Sequence, residues 1–225
     1  MKIGIIAAMH KELELLLPLL QDSEQSRMGG CEFYRGKMGR HDVIAMQCGI
    51  GKVNAAMGSL TLINAFLPDF VINSGVAGGA DPSVKVMDVV AGARVAYHDV
   101  WCGPESELGQ VQGLPLYFEG SKRLLDMLPE RDDIHKGLIC SGDQFIDTTD
   151  SLQRIKGDFP EALAVDMESG AISQVCHLSG VPFLALRVIS DSPGASHDNT
   201  KQYIDFWADA PQECFNIVKE IIKNL

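Results

Sequence analysis

Carboxylates close the hydrophobic runs of this sequence. "ALAV" (162–165) runs straight into Asp166-Met167-Glu168, "FLALRVI" (183–189) ends on Ser190-Asp191, and "KIGIIAA" (2–8) is followed shortly by Glu12. Ionised Asp and Glu are rarely buried without partners. Such acids are either solvated turn formers and helix caps, favoured at the positive end of a helix, or groups held inside for chemistry. Glycines share these positions: "SGVAGG" (74–79) follows "DFVIN", and "SGDQFI" (141–146) follows "KGLIC". They let backbone approach a ligand closely. Ligands of open α/β sheets bind outside the carboxyl ends of the strands. Several acids at five strand ends therefore suggest acid/base work on a hydroxylated or nitrogenous small molecule.

The elements that would position these residues are legible as short apolar runs alternating with helical stretches. Strands are expected at 2–8, 69–75, 84–99, 136–143, 162–167 and 182–191, and a hairpin at 31–49 around Gly36 to Gly39. Helices are expected at 9–21, bent or broken at Pro18, at 52–66, from Ser169 to about Leu178, and from Ala208 to the end. The 52–66 helix is so apolar that both of its faces should be covered. In the last helix Phe215, Val218, Ile222 and Leu225 form one stripe, with Lys219 and Lys223 on the wet side. Continuous apolar strands signal a sheet covered on both faces, hence a layered α/β fold. No repeat, low-complexity tract or linker interrupts the 225 residues, which read as one domain, 1–225.

Composition narrows the partners. The chain is 46% hydrophobic and 22% charged, with a formal net charge of −11, a balance that argues against nucleic acid as a ligand. The six cysteines include no CxxC pair, and a chain this long reads as holding reduced, mostly buried thiols in the cytoplasm. The apolar start is too short to span a bilayer, so no membrane association is expected. "CGIGKVNAA" (48–56) departs from a phosphate loop, with Met46 and Val53 where Gly and Ser or Thr belong. After the first strand only Gly4 is available for a dinucleotide fingerprint, and it lies inside the strand. No G-x-S-x-G or HExxH is present, and His98-Asp99 reads as a local hydrogen-bonded pair rather than a ligand set. No metal and no cofactor are implied.

Taken in order, "IGIIAAMHKELELL", "CGIGKVNAA", "INSGVAGG", "SGDQFI", "AVDMESGAI" and "LRVISD" resemble the purine nucleoside phosphorylase / uridine phosphorylase superfamily. Within it they most resemble the 5'-methylthioadenosine/S-adenosylhomocysteine nucleosidases, over nearly the whole chain. The resemblance implies a three-layer phosphorylase/hydrolase-like α/β fold, with a central mixed, partly barrel-closed sheet flanked by helices, and a homodimer. It implies hydrolysis of an N-glycosidic bond to release adenine. Glu12 would activate the water and Asp191, supported by Ser190, would protonate adenine N7. Glu168 would bind the ribose hydroxyls with Met167 beside the sugar, and Arg187 would position carboxylate or water. Phe145 would stack on adenine and the Ile146 backbone would read its edge. Met9, Ile50 and Val165 would line the ribose and thioalkyl pocket, with Tyr203 as an aromatic wall. Val76 stands where some members carry Ser, Asp166 replaces a Glu, and the loop after Asp191 is about two residues longer.

The same residues also admit plainer roles: Asp166 and Glu168 as caps of the following helix, Asp191 as a turn former, and Phe145, Met9, Ile50 and Val165 as core. Glu12 is expected to be open to water near Arg187 and Asp191 to be drier. The sequence leaves three competitors: a phosphorylase of the same superfamily, an aminodeoxyfutalosine nucleosidase, and a protein that binds a nucleoside without turnover.

Overall fold

The first strand of the chain, β1 (Lys2–Ala7), shows how the layers arise. Ile3, Ile5 and Ala7 point to one side of the sheet and Ile6 to the other, and all are buried. The structure, a computed structural model, describes residues 1–193, 199–209 and 212–225, without the side chains of 208, 209 and 212–214. The helices are α1 (His10–Leu16), α2 (Lys52–Phe66), α3 (Lys122–Leu125), α4 (Thr149–Asp158), α5 (Ser169–Ser179), α6 (Asn199–Asp209) and α7 (Gln212–Asn224). The other strands are β2 (Gln21–Met28), β3 (Cys31–Met38), β4 (His41–Gln47), β5 (Phe70–Gly79), β6 (Val89–Tyr97), β7 (Phe118–Glu119), β8 (Ile134–Ser141), β9 (Ala162–Asp166) and β10 (Phe183–Asp191).

All ten strands join one mixed sheet in the order β10-β6-β8-β9-β5-β1-β4-β3-β2, with β7 paired to β6. A further parallel pairing of β10 with β5 closes five of these strands into a ring, from which β1, β4, β3 and β2 extend as an arm. One face carries α1 and α7, whose Leu13, Leu16, Phe215, Val218 and Ile222 pack on Ile3, Ile5, Ile72 and Leu186. The opposite face carries α2 and α5, whose Leu62, Ile63 and Ile172 pack on Ile6, Ile44, Val71 and Ala185. Each such side chain contributes about 1.5–3 kcal/mol on burial. Gly4 inside β1 is explained by this packing, since a Cβ there would come within 2.6 Å of Leu62 Cδ2. The fold is thus the expected three-layer α/β arrangement with a mixed, partly barrel-closed sheet.

Several expectations shift in detail. β5 continues to Gly79 rather than ending at Gly75, and the 84–99 run is strand only over β6. The break at Pro18 is a 3-10 turn over Leu17–Leu19. It leads into β2, a strand with no apolar pattern and eight exposed residues. β2 is held by backbone pairing with β3, and its charged edge discourages pairing with other chains. The last helix begins at Gln212; the start expected at Ala208 lies in α6, and residues 210–211 between them are outside the described ones. The expected longer loop after Asp191 falls on residues 194–198, also outside them. α2 is not covered on both faces: Val53, Met57 and Leu60 are 79%, 50% and 48% exposed.

Candidate functional site

Glu12 sits in the first turn of α1, and its carboxylate turns back over the helix start. Oε2 accepts from the Ala8 and Met9 N–H groups at 2.8 and 2.9 Å, and Oε1 accepts from the Val76 N–H in β5 at 2.9 Å. This ties the end of β1 to the middle of β5. Glu12 is only 1% exposed, which corrects the expectation that it is open to water: the capping geometry pulls it inward. Burial raises its pKa, opposed by Arg187 and by the three N–H groups.

Asp191 ends β10 at an irregularity, where the register with β5 shifts between Ile189 and Asp191. Such a bulge re-aims a side chain, and here both Ser190 and Asp191 face one cavity. Asp191 Oδ1 accepts from Ser190 Oγ at 2.5 Å, while Oδ2 is buried with no hydrogen-bond partner among the described residues. Burial raises its pKa, against hydrogen bonds from Ser190 and Asn199. Glu12 and Asp191 are therefore equally excluded from bulk water, and differ in partners rather than in dryness.

Glu168 stands at the N-cap position of α5 without a side-chain cap bond there, and its Oε1 instead accepts from the Gly51 N–H at 3.0 Å, at the start of α2. Burial first, and then the negative charge of Asp166, push it up to about 7. Asp166 is buried behind it, accepting from Ser169 N–H and Oγ and from Arg187 Nε. It thus both caps the helix and pairs with the arginine. Arg187 is fully buried. Its Nη2 reaches Asp166 Oδ2 at 2.6 Å, Asn73 Oδ1, and, more distantly, Glu168 Oε2 at 3.7 Å. Unlike the other expected site residues, Arg187 does not line the cavity: it lies behind the carboxylates and holds them.

The cavity is open to solvent, and the space between its lining atoms, counted out through the mouth, is about 610 Å³. Glu12, Val76, Val165, Met167, Glu168, Ser190 and Asp191 form its floor and walls, and Met9, Ile50, Phe145, Ile146 and Tyr203 the remainder. Phe145 meets Tyr203 edge to face with centroids 5.6 Å apart, and Tyr203 Oη donates to Met9 Sδ at 3.4 Å. Phe145 and Ile50 are 48% and 51% exposed, so neither is the core residue that composition alone would suggest. The Ile146 carbonyl accepts from Asn199 Nδ2. The His98-Asp99 pairing is replaced by another: Asp99 accepts from Lys52 Nζ and from the Asp143 N–H.

Sequence reading missed Asn73, the polar anchor inside β5 that accepts from Arg187 and Ser169 and donates to the Ile6 carbonyl. An Asn inside the apolar run "FVINSG" was the available signal. It also missed Gly51, whose contribution is a backbone N–H with no side chain to read. Among the described residues no cluster of three His, Cys, Asp or Glu side chains has metal-holding geometry. The five described cysteines are free, and no helix there is long and apolar enough to cross a membrane.

The model of the phosphorylase superfamily matches residues 2–223. The 5'-methylthioadenosine/S-adenosylhomocysteine nucleosidase of Haemophilus influenzae is 38% identical over all of both chains. That of Tolumonas auensis is 40% identical over 91% of this chain and 93% of the relative. The crystal structure of S-adenosylhomocysteine nucleosidase from Streptococcus pyogenes, in complex with 5-methylthiotubericidin, superposes with a TM-score of 0.93 at 34% identity. It covers 100% of this chain and 97% of that one. With two acids facing one cavity on a ring-closed mixed sheet, the chain belongs to the phosphorylase superfamily, and within it to the 5'-methylthioadenosine/S-adenosylhomocysteine nucleosidases.

Proposed function

We propose that this protein hydrolyses the N-glycosidic bond of 5'-methylthioadenosine and S-adenosylhomocysteine, releasing adenine and the S-substituted ribose. The observation that carries the reading is the buried Asp191 carboxyl, whose Oδ2 has no hydrogen-bond partner among the described residues, lining the same cavity as Glu12. Breaking this bond builds positive charge on the sugar and negative charge on the base. Catalysis therefore needs a proton donor at the base, a negative surround at the sugar and a base on the incoming water, as in two-carboxylate glycoside hydrolysis. Asp191, raised by burial, is suited to hold a proton for adenine N7. Glu12, also raised yet tethered by three N–H groups and facing the Arg187 charge, is suited to take one from water. General acid or base help is typically 10²- to 10⁴-fold, or about 3–5 kcal/mol each.

In this reading Glu168 binds the ribose hydroxyls beside Met167, Phe145 stacks on the purine, and the Ile146 backbone reads its edge. Met9, Ile50 and Val165 line the sugar and thioalkyl end, and Tyr203 forms the wall. Ser190 supports Asp191. Arg187 acts from behind by fixing the carboxylates, and Val76 contributes its N–H to Glu12. Hydrolysis is favoured over phosphorolysis by charge. Glu12, Asp166, Glu168 and Asp191 line the cavity, with no Lys or Arg among its described lining, and such a surface repels a phosphate nucleophile.

The assembly and location belong to the same proposal. The protein works as one domain over 1–225, supported by its single sheet, and as a homodimer. Val53, Met57 and Leu60 present a bare apolar stripe on α2, the kind of patch that marks an interface. Free thiols, four of the five described ones buried, support a cytoplasmic setting. Val53→Asp with Leu60→Glu should yield a monomer by sedimentation where the native chain is a dimer. Activity is tested by release of the free base, adenine from 5'-methylthioadenosine, S-adenosylhomocysteine and aminodeoxyfutalosine and hypoxanthine from inosine, with and without phosphate. Phosphate-independent release from the first two is expected. Phosphate-dependent turnover would favour a phosphorylase, preference for the third the futalosine-type reading, and binding without turnover a nucleoside-binding protein.

A further inference from the structure

A closed ring of hydrogen bonds lies just outside the cavity. Lys52 Nζ donates to both oxygens of Asp99 at 2.9 and 2.8 Å. Asp99 Oδ2 also accepts from the Asp143 N–H at 2.8 Å, and Asp143 Oδ1 accepts from the Lys52 N–H at 2.8 Å. Three remote pieces of chain meet here: the start of α2, the loop after β6 and the loop after β8. Their approach is tight. A Cβ on Gly142 would fall 2.4 Å from His98 Cε1 and 2.8 Å from Asp99 Cγ, and one on Gly51 would fall 3.1 Å from Asp143 Oδ1. The lysine also lies over the Tyr97 ring at 5.4 Å.

Each end of the ring continues into the site. Gly51, next to Lys52, gives its N–H to Glu168. Asp143 is followed by Gln144, Phe145 and Ile146, all lining the cavity. The Lys52 and Asp99 side chains are only 24% and 22% exposed, so the pair is shielded from much of the solvent that weakens surface ion pairs. Exposed ion pairs contribute little to stability; this partly shielded one joins segments that carry two halves of the cavity lining.

We propose that Lys52 is a positioning residue, and that the Lys52–Asp99–Asp143 ring holds the sugar-binding carboxylate Glu168 in register with the purine-stacking loop at Phe145. The inference rests on the nucleosidase reading above, because it assigns sugar and base to those two halves. Lys52 touches no substrate atom; it acts through the Gly51 N–H and through Asp143.

The test uses the full chain, with 5'-methylthioadenosine as the probe. Lys52→Met is expected to lower kcat/KM about 10- to 100-fold, the cost of misaligned groups, mostly through KM, while Tm stays close to that of the native chain. Lys52→Arg, which keeps a two-pronged charge pairing with Asp99, is expected to restore most of the loss. The Lys52→Met, Asp99→Asn double variant should fall within about twofold of Lys52→Met, since both changes break one ring. A native KM in Lys52→Met, or losses that multiply in the double variant, would overturn the proposal. Hydrogen exchange at the Gly51 and Asp143 amides of the ligand-free protein separates the two readings. Faster exchange in Lys52→Met, in a chain whose native form releases no adenine, keeps the ring and removes the nucleosidase; unchanged exchange removes the ring.

Discussion

Arg187 directs two nitrogens at one oxygen: Nε and Nη2 both lie 2.6 Å from Asp166 Oδ2. Its Nη1 has no hydrogen-bond partner among the described residues and lies on the side near Glu12. One buried cation thereby balances a cluster of buried acids. Breaking such a pair costs about 3–5 kcal/mol, because it leaves charge uncompensated in a dry site. Arg187→Met should lose stability of that size in urea unfolding with little change in slope. Arg187→Lys should not restore it, since an ammonium cannot reproduce the planar fork. A Met variant as stable as the native chain would refute this account of the cluster.

Gly75 lies where β5 passes between these groups. A Cβ there would fall 2.4 Å from Arg187 Nη1 and 2.6 Å from Glu12 Oε1. Gly75→Ala must displace Glu12 or Arg187, at about 1–3 kcal/mol. Its kcat should fall about 10²-fold, the scale of a catalytic group moved by an ångström. Thermal unfolding and steady-state kinetics of this single variant check both. Native kinetics would show that Glu12 tolerates movement.

The raised pKa of Glu168, from 4.5 to about 7, makes stability depend on pH. The folded chain holds this proton where the unfolded chain has lost it, so the contribution is full below about pH 4.5. It is lost as pH rises through about 7. Glu168→Gln cannot titrate. Its stability relative to the native chain should therefore increase between those pH values, by on the order of 1–3 kcal/mol. A constant difference across the window would place Glu168 in a more solvated setting than its burial indicates.

Much of this was visible in the sequence wherever burial speaks through side chains. β1, β5 and β10 are apolar runs, and the acids at the ends of β9 and β10 stand out because buried strands rarely lead into charge. β2 was invisible because its eight exposed residues carry no apolar period, and only backbone pairing makes it a strand. The inward turn of Glu12 depends on N–H groups of Ala8, Met9 and Val76, which any sequence would supply. The Lys52–Asp99–Asp143 ring joins residues far apart in the chain, each ordinary where it stands. The covered second face expected for α2 is not found within the chain, where Val53, Met57 and Leu60 stay exposed.

The pH dependence of turnover follows from the two carboxyls proposed as catalytic. In the proposed mechanism Glu12 acts ionised, so its raised pKa should move the acid limb of kcat/KM above the ordinary carboxylate range of about 4. Asp191 acts protonated in the same proposal, so its raised pKa should extend activity upward before the alkaline limb begins. A pH–rate profile with an acid limb at an ordinary carboxylate value would contradict the burial of Glu12.

The central claim is that Glu12 and Asp191 act together, on water and on the departing base, across one cavity. Its most direct test is the single-turnover rate of adenine release from 5'-methylthioadenosine by Glu12→Gln and Asp191→Asn in phosphate-free buffer. Each variant should be slower by at least about 10²-fold while still binding the nucleoside. Turnover in either variant within about threefold of the native chain would show that its carboxyl is not part of the reaction.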